Sequence, residues 1–175
     1  MTKLAQLVVS GDRAKHNRVN GRRGAALRSA AALLALVALA APASARPFQQ
    51  YLNGVCGASA KICRINFIKI PAGSRLDVKN VSCYIRINEE PGGGNAQVRA
   101  SQLLVLGATP GSVVNAVTLV PRSEAFTATE HGYAANEAIF AFASAQQRFQ
   151  AYVEIVAGTF SQVACHISGD MMTAP

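Results

Sequence analysis

The sequence is short of the residues on which most enzyme and nucleic-acid chemistry depends: among 175 residues it has no Trp, three His and 15% charged side chains. The four cysteines include no C-x-x-C pair and form no His/Cys cluster at ligand spacing, so the pattern of a zinc site is absent and no metal or other cofactor is expected. G-x-S-x-G, H-E-x-x-H, G-x-x-x-x-G-K-[ST] and a helix-opening G-x-G-x-x-G are all missing, which removes the usual local signatures of acyl, metal-assisted and phosphoryl chemistry. Gly92, Gly93 and Gly94 follow Glu89, Glu90 and Pro91 with no Lys-Ser/Thr behind them, and read as a strand connection rather than a phosphate cradle. The one apolar block, near the N-terminus, is about a dozen residues long, shorter than the roughly 20 that a membrane helix needs.

The formal charge of +8 is unevenly placed. Residues 1–45 hold seven Lys/Arg and one Asp, and residues 46–175 hold ten Lys/Arg and eight Asp/Glu, so +6 belongs to the first segment and +2 to the rest. Basic residues in the remainder are scattered singly, which disfavours nucleic acid as a partner. The basic segment has its own explanation. Arg22, Arg23 and Arg28 precede the apolar block Ala30–Ala41, then Pro42 and the small-x-small site Ala43-Ser44-Ala45, the order of a secretory signal peptide. Residues 1–45 are therefore expected to be cleaved, leaving residues 46–175 as one exported domain, periplasmic or extracellular, with no stable membrane insertion.

After the leader the hydrophobic period is close to two and turn residues recur at short intervals, the pattern of an antiparallel all-β domain. Strands are expected at Lys61–Ile70, Arg75–Asn88, Ala96–Leu106, Val113–Val120, Glu137–Phe142, Arg148–Val156 and Phe160–Ser168. Seven or eight strands in this length predict a β-sandwich, immunoglobulin-like or jelly-roll. In Arg75–Asn88, Leu76 and Val78 have the opposite parity to Val81, Cys83, Ile85 and Ile87, so a bulge near Lys79 or Asn80 is needed to bring both sets inward. The last two strands are expected to form a hairpin with Val156 opposite Phe160, which places Val153 against Val163 and Ala151 against Cys165.

Four cysteines in an exported domain predict two disulfides, and they allow three pairings. Cys83 and Cys165 both sit among inward apolar residues of long strands, which favours Cys83–Cys165 and leaves Cys56–Cys63 to close a short loop.

The outward side of the expected hairpin is the candidate recognition surface. Arg148, Gln150, Tyr152 and Glu154 share it with His166, and Tyr84 and Arg86 extend it if the Cys83 strand lies alongside. Rings set among hydrogen-bonding groups suit polysaccharide or an envelope protein as partner. Catalytic carboxylates drawn from Glu89, Glu90, Glu124, Glu130, Glu137 and Glu154, or a Ser-His-Asp set using His166 and Asp170, require groupings that only the fold can make. His131, beside Gly132, is expected in a turn.

The segments Ile70–Arg86, Ser101–Leu106, Arg148–Glu154 and Ala164–Gly169 resemble short exported β-rich proteins of alphaproteobacteria that have no established activity. The resemblance spans roughly residues 60–170 and implies an exported β-rich domain; it carries no catalytic residue with it. The expectation is a disulfide-stabilised binding or structural module, with a small polysaccharide hydrolase or lyase and a subunit of a surface assembly or adhesin as alternatives.

Overall fold

Alternation of apolar and polar residues makes nine strands in the computed structural model, which describes residues 44–57, 59–90 and 96–173. Residues 1–43 of the leader and the Gly92–Gly94 run lie outside the described residues. The strands are β1 (Arg46–Gly54), β2 (Ile62–Lys69), β3 (Ser74–Asn88), β4 (Val98–Leu106), β5 (Val113–Thr118), β6 (Arg122–Phe126), β7 (Glu130–Ala143), β8 (Arg148–Ile155) and β9 (Thr159–Thr173). They form a five-stranded sheet, β1-β9-β3-β7-β6, and a four-stranded sheet, β2-β8-β4-β5, with every neighbouring pair antiparallel.

The pairings β1·β9, β2·β8, β3·β7 and β4·β5 are those of one long hairpin, and rolling it up adds β9·β3 and β8·β4. That is the jelly-roll form of the β-sandwich, with β6 as an extra edge strand. The inward side chains of both sheets fill the space between them: Val81, Cys83, Ile85 and Ile87 from β3, Val163, Cys165 and Ile167 from β9, and Phe149, Ala151 and Val153 from β8 are all buried.

The ladder from β3 to both neighbours shifts register between Val78 and Asn80, where the parity conflict requires it, and Leu76 and Val78 are thereby as buried as Val81. Cys83 is paired directly with Cys165 across β3 and β9, and their disulfide staples the two central strands of the five-stranded sheet from its inner side. Cys56–Cys63 joins the chain leaving β1 to β2 of the other sheet. Two disulfides point to a non-reducing environment. No helix among the described residues is long and apolar enough to cross a membrane.

The expected hairpin of the last two strands is not formed. β8 lies between β2 and β4, whereas β9 lies between β1 and β3, so Val153 and Val163 belong to different sheets. Alternation correctly gave the inward residues of both strands, but it says which way a side chain faces and not which strand stands beside it. The chain changes sheets over Val156–Gly158. Gly158 makes the crossing at φ 86°, and a Cβ there would stand 2.5 Å from the Asn88 carbonyl oxygen, so only glycine fits. His131 is likewise not in a turn: it lies in β7 opposite Ile87 and is 9% exposed.

Candidate functional site

The separation of β8 from β9 divides the candidate surface in two. Arg148, Gln150, Tyr152 and Glu154 alternate outward on β8 of the four-stranded sheet. His166 faces outward on β9 of the five-stranded sheet, where β3 is its neighbour and brings Tyr84 and Arg86 onto the same face. Each half acquires partners that the sequence did not reveal.

On the four-stranded sheet, cross-strand pairing sets Arg64, Tyr152 and Gln102 in one row and Asn66, Gln150 and Leu104 in the next. The Arg64 guanidinium lies 5.5 Å from the centre of the Tyr152 ring. The Tyr152 hydroxyl donates to Glu154 Oε2 at 2.9 Å, and Arg99 holds the other carboxylate oxygen at 3.2 Å. Hydrogen bonding to Glu154, with burial and the same negative charge adding to it, pushes the Tyr152 phenol above its ordinary value, against smaller opposing effects of Arg64 and Arg99. Gln150 Nε2 donates to Asn66 Oδ1 at 2.7 Å and the residue is only 8% exposed. The ring, the carboxylate and the amide of this face are thus already engaged with one another.

The five-stranded sheet is more open. Tyr51, His166, Ser82 and Asn136 form one outward row across β1, β9, β3 and β7, and Asn53, Ala164, Tyr84 and Ala134 form the next. Ladder spacing separates the two tyrosines by roughly 12 Å, with Ala164, Ser82 and the His166 imidazole between them. Tyr51 is 59% exposed, and its hydroxyl donates to Asn53 Oδ1 at 3.0 Å. Arg86 Nε donates to the Tyr84 hydroxyl at 3.2 Å and also meets Glu130 Oε1 at 3.4 Å. Tyr51 escaped the sequence reading because β1 did: its burial alternates only between exposed and half-buried, with Phe48 and Leu52 its inward apolar residues.

The carboxylates are dispersed. Glu89 Oε1 lies 2.7 Å from His131 Nε2 at the end of the sandwich, Glu90 pairs with Lys61 at 2.6 Å, and Glu130 accepts from Ser161 Oγ at 3.0 Å. Glu124 and Glu137 line one depression of about 300 Å³ together with Arg122 and Asn136. Asp170 on β9 is paired with Lys79, which raises the lysine's pKa through their hydrogen bond.

No protein-family model matches the chain, and a search of curated proteins gives no match.

Proposed function

We propose that the chain is an exported, non-catalytic binding module of the periplasm or extracellular space that holds a hydroxyl-rich polymer, such as an envelope polysaccharide, on the outer face of its five-stranded sheet. The observation that carries this reading is the pair of rings, Tyr51 and Tyr84, set on one flat face with small side chains and His166 between them. Aromatic faces bury the apolar side of a sugar while hydroxyl, amide and imidazole groups take its hydroxyls. Export is supported by the two disulfides together with the signal-like leader.

The test is a thermal melt of the purified, oxidised protein against soluble polysaccharides and peptidoglycan fragments. A ligand at a hundred times its dissociation constant adds about 2.7 kcal/mol to stability, a shift of several degrees at this size. The expected shift disappears in Tyr51→Ala and Tyr84→Ala and survives in Tyr152→Ala. The opposite pattern would move recognition to the four-stranded sheet, and no shift with any polymer would refute the glycan reading.

A polysaccharide-active enzyme remains a second reading because Glu124 and Glu137 share a depression. Turnover of the same polymers, lost in Glu137→Gln, is its signature.

A further inference from the structure

The strand edges of the sandwich are not alike. The β1 edge carries Arg46 and Pro47, and the β2 edge carries Arg64 and Lys69, with Gln50 Oε1 accepting the Ile68 N–H at 3.0 Å. The β5 edge is six residues long, and Asn115 Oδ1 takes the N–H of Ala116 at 2.8 Å. Charges, proline, short length and side-chain caps are the devices by which sheets avoid pairing with other chains.

The remaining edge is less well defended over half its length. β6, with Arg122 and Glu124, pairs with β7 only from His131 to Ala134. Beyond it, Glu137, Ala138 and Ala141–Ala143 pair with β3 on one side, with the register shift falling at Ile139 and Phe140, and no strand among the described residues pairs with the other side. That stretch has no Lys, Arg or Pro and one Glu, and it exposes Phe140 by 75% and Phe142 by 45%.

We infer that this edge is a self-pairing interface, through which two copies of the chain join β7 to β7 antiparallel about a two-fold axis at Phe140. The segment fits itself in this register. Ile139 falls opposite Ala141 of the second copy, Phe142 opposite Ala138, and Phe140 opposite its own equivalent, so each other large side chain meets a small one and the central rings form an aromatic cross-strand pair. Glu137 falls opposite Ala143, so the only charge in the stretch does not meet its like. Such self-complementarity is what an isologous contact demands. The two sheets become continuous across the β7–β7 seam, eight strands wide, with each β6 beside the seam on its own β7. A seven-residue edge buries less than the roughly 800 Å² per partner of a standard interface, so the dimer exchanges with monomer and depends on concentration. The inference does not depend on what the sheet face binds.

Sedimentation velocity on the purified, oxidised protein over a concentration series tests it. The expected result is a monomer–dimer equilibrium that Phe140→Lys weakens by at least about tenfold in dissociation constant without lowering the melting temperature, because Phe140 lies outside the core. Phe140→Cys, placed at the axis, gives a covalent dimer on addition of an oxidant, whereas Val114→Cys on the β5 edge does not. Monomer at every concentration, or a dimer indifferent to Phe140→Lys and not captured by Phe140→Cys, overturns the proposal; monomer alone would leave the edge to a strand of a different protein.

Discussion

The two disulfides close loops of very different length, and this makes their contributions separable. Cys83 and Cys165 are 82 residues apart in sequence and Cys56 and Cys63 are 7 apart. Loop closure in the unfolded chain then assigns about 4.5 kcal/mol to the long bridge and about 2.3 kcal/mol to the short one at 25 °C. A domain of this size has a total stability of roughly 5–15 kcal/mol, so loss of the long bridge removes about 30% of it or more. The perturbation is a pair of double variants, Cys83→Ala with Cys165→Ala and Cys56→Ala with Cys63→Ala. Alanine keeps the positions small and apolar, which matters because Cys83 and Cys165 are fully buried between Val81, Ile85, Val163 and Ile167. Urea unfolding followed by far-UV circular dichroism reads the difference, expected near 2 kcal/mol between the variants. In thermal melts the long-bridge variant loses about 15 °C and the short-bridge variant about 8 °C. If the short-bridge variant loses as much as the other, loop entropy is not what these bridges contribute, and the reasoning fails.

Three other outcomes follow from single sites. Gly169→Ala puts a Cβ 1.9 Å from the Asp77 carbonyl oxygen and 2.8 Å from Val78 Cα, backbone that cannot step aside, so it costs about 3 kcal/mol or more in urea unfolding; a loss under 1 kcal/mol would mean that the β3 bulge yields. Ser101 Oγ is buried with no hydrogen-bond partner among the described residues, so Ser101→Ala is neutral or stabilising by up to about 1 kcal/mol, and a clear loss in the same assay would contradict the assignment. Burial raises the Tyr133 phenol and the Glu154 hydrogen bond raises that of Tyr152 above the ordinary 10.0, so their contribution to stability is intact below pH 10 and is lost as pH rises through the folded values. Phenolate absorbance should show a late step that Tyr133→Phe and Tyr152→Phe each reduce, and an unchanged titration curve would refute the shifts.

The sequence carries some of this structure far better than the rest, for identifiable reasons. Strands with one inward apolar face, such as β3 and β8, announce themselves by alternation, and the parity break in β3 located its bulge to within a residue. β1 and β6 are edge strands with little to bury, so they lack that signature. The first part of β7 is hidden by Gly132, Ala134 and Ala135, whose small side chains read as turn or nothing. The candidate residues were outward-facing as expected on both β8 and β9, but their assembly into one surface presumed that successive strands pair. In a rolled hairpin they do so only where the chain stays in one sheet, and a three-residue crossing leaves no trace in composition. The disulfide pairing was legible because it needs only inward parity and long strands.

Strand order also has a consequence for the time course of folding. β9, the last of the nine strands in chain order, is the shared neighbour of β1 and β3, and β8, the one before it, is the shared neighbour of β2 and β4. Until both have been made, four of the first strands have no central partner, and neither sheet can close around the core. Contacts between the two ends of the chain make folding slow, since loops of more than a hundred residues must close before β1 and β9 can meet. The incomplete chain thereby lacks the strands that complete both sheets, and the Cys83–Cys165 bond, once formed, fastens the last of the nine strands to one that precedes it by 82 residues.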